Sequence, residues 1–179
     1  HQFTEVQRDE FLEKNFNEED GNLYKATAPW TTGTAWNEYH GLGGIYEKET
    51  NEDLNDWSDF DELGNILMNE PDATYEPEVR RVVDVRDWGQ NYAVLCVGCL
   101  IDTPWHFHNQ NYRIYRRVSD DRFVHVLYDF DDGYWGTMYD NAGFFASQFP
   151  DTDRFLKWDA FTREYLHGIW RAVNLTSGE

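Results

Sequence analysis

Three aspartates crowd the segment YDFDDGYWG at 128–136, directly after the apolar run RFVHVL. Carboxylates that follow a strand so closely repel one another, so either a bound cation or surrounding water must offset the repulsion. Carboxylate oxygens are the hard ligands that Mg²⁺ prefers in proteins. Taken alone, however, the segment is more typical of a carboxylate-rich turn that is held by backbone amides, so other residues must decide between the two.

Two further residues precede this segment in an order that favours a metal site. Asp102 stands in LIDTPWHFHNQNY, after an apolar helix candidate, and Asn111 opens the strand candidate NYRIYRRV. Asp129 and Asp131 follow the next strand candidate, RFVHVLY. In metal-assisted phosphoryl transfer one aspartate orients the attacking hydroxyl, an asparagine offers its amide oxygen to the metal, and a second aspartate joins the metal to nucleotide phosphates. The order of these residues therefore predicts a Mg²⁺ site for that chemistry.

Helices and short strands are intermixed along the chain, which predicts a single α+β domain. Apolar spacing indicates helices at 5–16, from Ser58 onward, at 84–100 and at 159–173, and strands at LYKA and GIYEK. NYRIYRRV and RFVHVLY flank the polar turn SDD and predict a β-hairpin. Ser58 and Asp61 resemble a capping box at the start of the second helix. The residues expected on the inner face of the last helix are Phe161, Tyr165, Leu166, Ile169 and Trp170.

The net charge limits the classes of partner. The chain has 34 acidic and 15 basic residues, a formal charge of −19. Such a surface repels nucleic acid phosphates and anionic membranes, so we expect neither as a general partner. It also repels nucleotide phosphates, so phosphate chemistry here requires a divalent cation. No apolar run reaches 18 residues, and we therefore expect no membrane insertion.

The segments around the predicted hairpin resemble the CotH kinase family, which is named for a bacterial spore coat protein. The family has an aspartate-containing turn, an H-N-Y-Y-L-Y-like strand and an R-F-x-F-I-P-W-D-L-D-like strand, and this chain has Asp102, QNYRIYRR and RFVHVLYDFD. Upstream, FLEKNFNEEDGNLYKA is similar to the family's G-N-L-Y-K segment, and IYEKETNEDLNDWSDFDELGNIL to its Y-E-x-K-T-N segment and following helix. The resemblance covers most of residues 8–171.

The resemblance implies a protein-kinase-like fold, mostly its larger helical lobe, in which a β-hairpin carries the metal site. It implies that Asp102 is the catalytic carboxylate and that Asn111 and Asp129 are metal ligands. It also implies that Asp131 supports the metal or its waters. We add two candidate cofactor-binding residues: Lys25, in the segment similar to G-N-L-Y-K, and Arg113.

The function implied is that of a secreted or cell-surface kinase-like protein, which uses ATP and Mg²⁺ to phosphorylate a hydroxyl group of a protein partner. Residues 1–179 are expected to form one such domain, incomplete at its N terminus, because the chain begins after the family strands that bear a nucleotide-contacting lysine. Glu49, in EKET, stands near a position where the family often has lysine. The alternative function is a catalytically inactive pseudokinase, a structural or adhesive module of an extracellular coat, wall or fibre.

Two other interpretations of the same residues remain open. His106, His108 and His125 could bind a transition metal, although an isolated H-x-H is more often structural. The predicted hairpin also carries four arginines, which could contact nucleotide phosphates or an acidic protein, or could pair with Asp120 and Asp121 across the strands. We slightly favour the pairing. These arginines are Arg113, Arg116, Arg117 and Arg122.

Two short motifs lie outside this constellation. Cys96 and Cys99, in CVGC, lack the second pair that a four-thiolate zinc site needs, and they suit a buried helix face. Asn174 begins the sequon Asn-Leu-Thr, which would accept a glycan in a secretory compartment.

Overall fold

The computed structural model describes residues 9–27, 46–98, 110–128 and 150–177 of the 179-residue chain. Within these ranges the chain has six α-helices, a short 3₁₀ helix and four strands, which confirms the predicted α+β class. The helices are α1 (Asp9–Phe16), α2 (Ser58–Asn69), α3 (Asp72–Val82), α4 (Val85–Val97), α5 (Pro150–Leu156) and α6 (Asp159–Ser177), and the 3₁₀ helix spans Glu52–Leu54. The strands are β1 (Asn22–Thr27), β2 (Tyr46–Lys48), β3 (Gln110–Arg116) and β4 (Phe123–Leu127).

The four strands form one antiparallel sheet in the order β2-β1-β3-β4. Tyr24 of β1 stands opposite Ile114 of β3, which in turn stands opposite His125 of β4. Because side chains alternate along a strand, this register assigns successive residues to opposite faces of the sheet. The antiparallel pairing of β3 with β4 confirms the predicted hairpin.

Each face of the sheet is covered by helices. On one face Tyr24, Tyr112 and Ile114 join the main core, to which α2, α3, α4, α5 and α6 contribute. On the other face Leu23 and Tyr115 pack with Leu12 of α1 in a smaller apolar cluster. The fold is thus a sheet between one short helix and a helical layer.

The beginning of α4 is attached to strand β4, which is the outer strand of the sheet among the described residues. The backbone N–H of Asp84 and the indole N–H of Trp88 both donate to the carbonyl of Phe123, at 3.0 and 3.1 Å. The carboxylate of Asp87 accepts a hydrogen bond from the backbone N–H of His125 at 2.7 Å. These contacts fix the hairpin to the helical layer.

Helices α4 and α6 pack closely, and two glycines make this possible. A Cβ atom at Gly89 would lie 2.8 Å from Cβ of Glu164 and 2.9 Å from the backbone nitrogen of Tyr165. A Cβ atom at Gly168 would lie 2.7 Å from Cβ of Ala93. Both distances are too short for real side chains, so the helices need glycine at both positions.

Most predicted helices are present, with three differences. The capping box at Ser58 is wrong, because Ser58 lies inside α2 and its N–H is accepted by the carboxylate of Asp56 at 2.9 Å. Leu166 and Trp170 are exposed rather than inward-facing, whereas Phe161 and Tyr165 are buried and Ile169 packs against the core. The sequence pattern did not reveal α3, which contains Pro77.

Cys96 is a partly buried residue that packs against the main core, as expected, while Cys99 lies outside the described residues. None of the helices within the described ranges combines the length and the apolar character that crossing a bilayer requires.

Candidate functional site

Three of the six predicted site residues lie in the described part of the chain, and the sheet brings them together. Lys25 in β1 stands directly opposite Arg113 in β3. Asn111 lies two residues before Arg113 on the same strand. The other three predicted residues, Asp102, Asp129 and Asp131, lie outside the described residues.

The pairing of β1 with β3 is interrupted at Asn111. Lys25 pairs with Arg113 but Thr27 pairs with Gln110, so two residues of β3 stand opposite the single residue Ala26. Asn111 has a φ of 62°, in the left-handed region that asparagine tolerates better than most side chains. Such a β-bulge bends the strand and changes the direction of a side chain. Asn111 is therefore set apart from the regular strand that follows it.

Asn111 is also linked to the end of β4. The backbone N–H of Tyr128 donates to the carbonyl of Asn111 at 3.2 Å. This bond continues the register in which Tyr112 faces Leu127. Tyr128 immediately precedes Asp129 in the sequence. The bulge is thus bonded to the residue from which the acidic segment begins.

Arg113 makes two contacts that the sequence did not predict. Its Nε and Nη2 atoms donate to the two carboxylate oxygens of Glu49, at 2.5 and 3.3 Å. The guanidinium carbon lies 4.3 Å from the ring centroid of Tyr128. The side chains of Arg113 and Glu49 are only 12% and 10% exposed, so this ion pair is far better shielded from water than a surface pair. In the sequence, Glu49 was notable only because it stands near a position where the family often has lysine. That position did not reveal that Glu49 pairs with Arg113.

The other arginines of the hairpin differ in their contacts. Arg117 pairs with Asp120 at 2.6 Å and with Asp84 at 2.9 Å. Arg116 lies 3.3 Å from Asp121. The expected pairing with Asp120 and Asp121 is therefore confirmed for these two arginines. Arg113 instead pairs with a carboxylate on a different part of the sheet.

Charges of both signs surround Lys25. Its neighbour across β3 is Arg113, and its neighbour across β2 is Glu47. Alternation along the strands places Lys25 and Arg113 on the face that bears Leu23 and Tyr115. The like charges of Lys25 and Arg113 repel each other across the strands. The bidentate ion pair between Arg113 and the carboxylate of Glu49 offsets this repulsion. The result is a basic pair with an adjacent carboxylate, close to the bulge.

His125 is a core residue. Its side chain is stacked against Trp88, with ring centroids 4.2 Å apart, and contacts the rings of Tyr92 and Tyr112. Burial lowers the pKa of His125 to about 3, so the ring is neutral. His106 and His108, its proposed companions in a metal site, lie outside the described residues. Within the described ranges, no group of three or more His, Cys, Asp or Glu side chains is arranged to hold a metal ion.

Comparison with known proteins bears on the whole chain. No curated protein matches it. The sequence model of the family described as CotH kinase protein matches residues 1–168, which include all six predicted site residues and Glu49. The match covers well over half of the chain and confirms the resemblance carried by the segments around β1, β3 and β4. The chain therefore belongs to the CotH kinase family.

Proposed function

We propose that the chain is an ATP-dependent kinase that requires Mg²⁺ and phosphorylates a hydroxyl group of a protein partner outside the cell. Membership of a kinase-like family supports the class of reaction. The observation that carries the proposal is the β-bulge at Asn111, whose left-handed residue is bonded to Tyr128 next to Asp129. Residues held in uncommon backbone conformations cluster at functional sites.

The donor set fits the ion. Asn111 contributes an amide oxygen, and Asp129 and Asp131 contribute carboxylates, which are the oxygen ligands that Mg²⁺ binds together with its own waters. In this proposal Asn111 and Asp129 hold the ion and Asp131 supports it. Bound Mg²⁺ would neutralise charge on the phosphates of ATP.

Other residues would position the reactants. Asp102 would orient the attacking hydroxyl and accept its proton. Lys25 would attract the phosphates of ATP to a chain that otherwise repels them, and Arg113, whose charge Glu49 balances, lies beside it as the second cofactor-binding candidate. Catalysis would depend on positioning and charge neutralisation, without a covalent intermediate on the protein.

One observation favours a second candidate function. Leu166, Trp170 and Val173 lie on one side of α6 and remain exposed, Trp170 by 63%. Exposed aromatic and apolar side chains in one stripe are typical of surfaces that contact another macromolecule. The second candidate is therefore an inactive module that assembles into an extracellular coat, wall or fibre.

The test is calorimetric titration of ATP into the folded chain with and without Mg²⁺, repeated on Asp129→Ala. The control is Asp153→Asn, which removes a half-exposed carboxylate of α5 that lies 3.5 Å from the ammonium group of Lys157. We expect Mg²⁺-dependent binding that Asp129→Ala abolishes and Asp153→Asn preserves. Transfer of labelled γ-phosphate to casein, or to the chain itself, then measures turnover. A folded chain that binds no ATP in the presence of Mg²⁺ would overturn the kinase proposal and favour the assembly module.

A further inference from the structure

The side chain of Arg113, on β3, is held between two residues that directly follow the ends of β2 and β4. Glu49 occupies its Nε and Nη2 donors, and the ring of Tyr128 lies against the guanidinium group. A bidentate, shielded ion pair fixes both the position and the plane of a guanidinium group. Stacking on an aromatic ring adds a preferred orientation. Arg113 is therefore an immobilised side chain.

Glu49 is itself firmly attached. Its backbone N–H donates to the carbonyl of Leu23 at 2.8 Å, just beyond the end of β2. The next residue, Thr50, is buried, and its hydroxyl donates to the carbonyl of Gly21 at 2.7 Å and accepts from the N–H of Leu23 at 2.8 Å. Glu49 thus gives Arg113 a support that belongs to the sheet.

Tyr128 is held twice, by its ring and by its backbone. Arg113 contacts the ring, and the carbonyl of Asn111 accepts the backbone N–H. Since the same residue contacts Arg113 and bonds to Asn111, the stacked guanidinium group also holds the backbone at the β-bulge. Asn111, at that bulge, is a ligand of the proposed metal site.

We propose that Glu49, Arg113 and Tyr128 form a clamp that positions Asn111, so that Arg113 controls metal affinity through Tyr128 rather than by contacting a phosphate. The inference rests on the proposed function, because it needs the metal site. Residues that orient metal ligands without touching the metal change metal affinity by about 10- to 100-fold when they are replaced.

The test measures binding of Mn²⁺ alone, without nucleotide, by electron paramagnetic resonance of the free ion. Arg113→Lys keeps the charge but loses the planar fork, and Tyr128→Leu removes the ring. We expect each to weaken Mn²⁺ binding about 10-fold or more. The double variant Arg113→Lys with Tyr128→Leu should lose no more than the worse single variant, because both changes open the same clamp.

The matched control is Arg81→Lys. Arg81 also pairs with two carboxylates, Glu62 and Glu78, but it lies half exposed on α3. Its replacement should leave Mn²⁺ binding unchanged. Thermal unfolding of every variant shows that the folded state is retained, and Glu49→Gln provides a milder opening of the clamp should either larger change unfold the chain.

The outcomes separate the two proposals. If the original chain binds no Mn²⁺, the metal site is wrong, and the proposed function and the clamp both fall. If the chain binds Mn²⁺ and the variants bind it equally well, only the clamp is overturned. If Arg113→Lys weakens binding of Mn²⁺-ATP while affinity for Mn²⁺ alone is unchanged, Arg113 contacts phosphate directly and the clamp is again overturned.

Discussion

The carboxylate of Asp87, in the first turn of α4, accepts the backbone N–H of His125, in the middle of β4, at 2.7 Å. A helix side chain therefore occupies a hydrogen-bonding position that a neighbouring strand would otherwise take. The same turn of helix also bonds to Phe123. The hairpin that ends beside Asn111 and Tyr128 is thereby fixed to the helical layer, and the stability of this junction affects the proposed site.

Asp87→Asn should make the chain more stable near neutral pH. Burial raises the pKa of Asp87 to about 7, and repulsion from Asp84 acts in the same direction. Because the folded pKa exceeds the unfolded value of 3.8, this carboxyl contributes most stability below pH 3.8 and loses that contribution as pH rises through 7. The loss amounts to about 2–4 kcal/mol. Asparagine can still accept the His125 N–H but does not ionise.

Urea unfolding of both chains between pH 4 and 8 measures this difference. The free energy of unfolding should be similar for the two chains at pH 4, and the Asp87→Asn chain should be the more stable at pH 8. If the free energies of unfolding of the two chains differ by the same amount at every pH, the pKa of Asp87 is not raised by folding.

His125→Phe should raise the free energy of unfolding. His125 is only 5% exposed, and its ring lies among those of Trp88, Tyr92 and Tyr112. In the part of the chain that the structure describes, neither ring nitrogen has a hydrogen-bond partner. Phenylalanine keeps the stacking and removes two buried polar atoms, a gain of about 1–3 kcal/mol.

The gain should also depend on pH. The folded pKa of about 3 lies below the unfolded value of 6.5, so the stability that the neutral histidine contributes above pH 6.5 is lost as the pH falls towards 3. The advantage of phenylalanine should therefore grow between pH 7 and pH 5 in chemical unfolding experiments. An advantage that stays constant over this interval would contradict a buried neutral histidine.

Two substitutions at Asn111 separate its backbone role from its side-chain role. Glycine adopts a φ of 62° without strain, so Asn111→Gly should leave thermal unfolding nearly unchanged. Alanine does not, and Asn111→Ala should cost about 1–2 kcal/mol. Both remove the amide oxygen and should weaken Mg²⁺-dependent ATP binding by about 10-fold or more. A glycine variant that still binds ATP as well as the original chain would mean that the amide is not a ligand.

Gly89→Ala should loosen the packing of α4 on α6. The added Cβ would lie 2.8 Å from Glu164 and would push the helices apart, at a cost of about 1–3 kcal/mol that exceeds the better helix propensity of alanine. Arg86→Ala, an exposed change on the same helix, is the control and should shift stability by less than about 0.5 kcal/mol. Equal melting temperatures for both variants would show that the helices can move apart freely.

The sequence predicted those elements whose apolar period is regular. Helix α4 and the β3–β4 hairpin were expected from apolar spacing and from the SDD turn, and both are present. Helix α3 was not expected, because its sequence is polar and Pro77 removes a backbone donor from its middle. Tertiary contacts compensate, since Tyr75, Val79 and Val82 are buried in the main core.

Spacing alone also misassigned part of α6. Leu166 and Trp170 are apolar and lie near the inner face of the helix, but both are exposed. The contact with α4 lies around Gly168, on a neighbouring side of α6. Only the partner helix determines which apolar residues are covered. For the site, the order Asp-Asn-Asp and the family segments made Asn111 and Lys25 candidates, and the basic run RIYRR made Arg113 one. The sequence did not show that Glu49 and Tyr128 contact Arg113, because those contacts depend on the order of strands in the sheet.

The two outer strands of the sheet limit how copies of this chain could assemble. β4 is bonded on its outer side by α4, and β2 is only three residues long. Exposed strand edges are the usual templates for uncontrolled polymerisation through backbone pairing, and in the part of the chain that the structure describes neither outer strand offers a long one. For the proposed coat or fibre, these edges therefore favour growth through side-chain contacts between helical surfaces over amyloid-like strand addition.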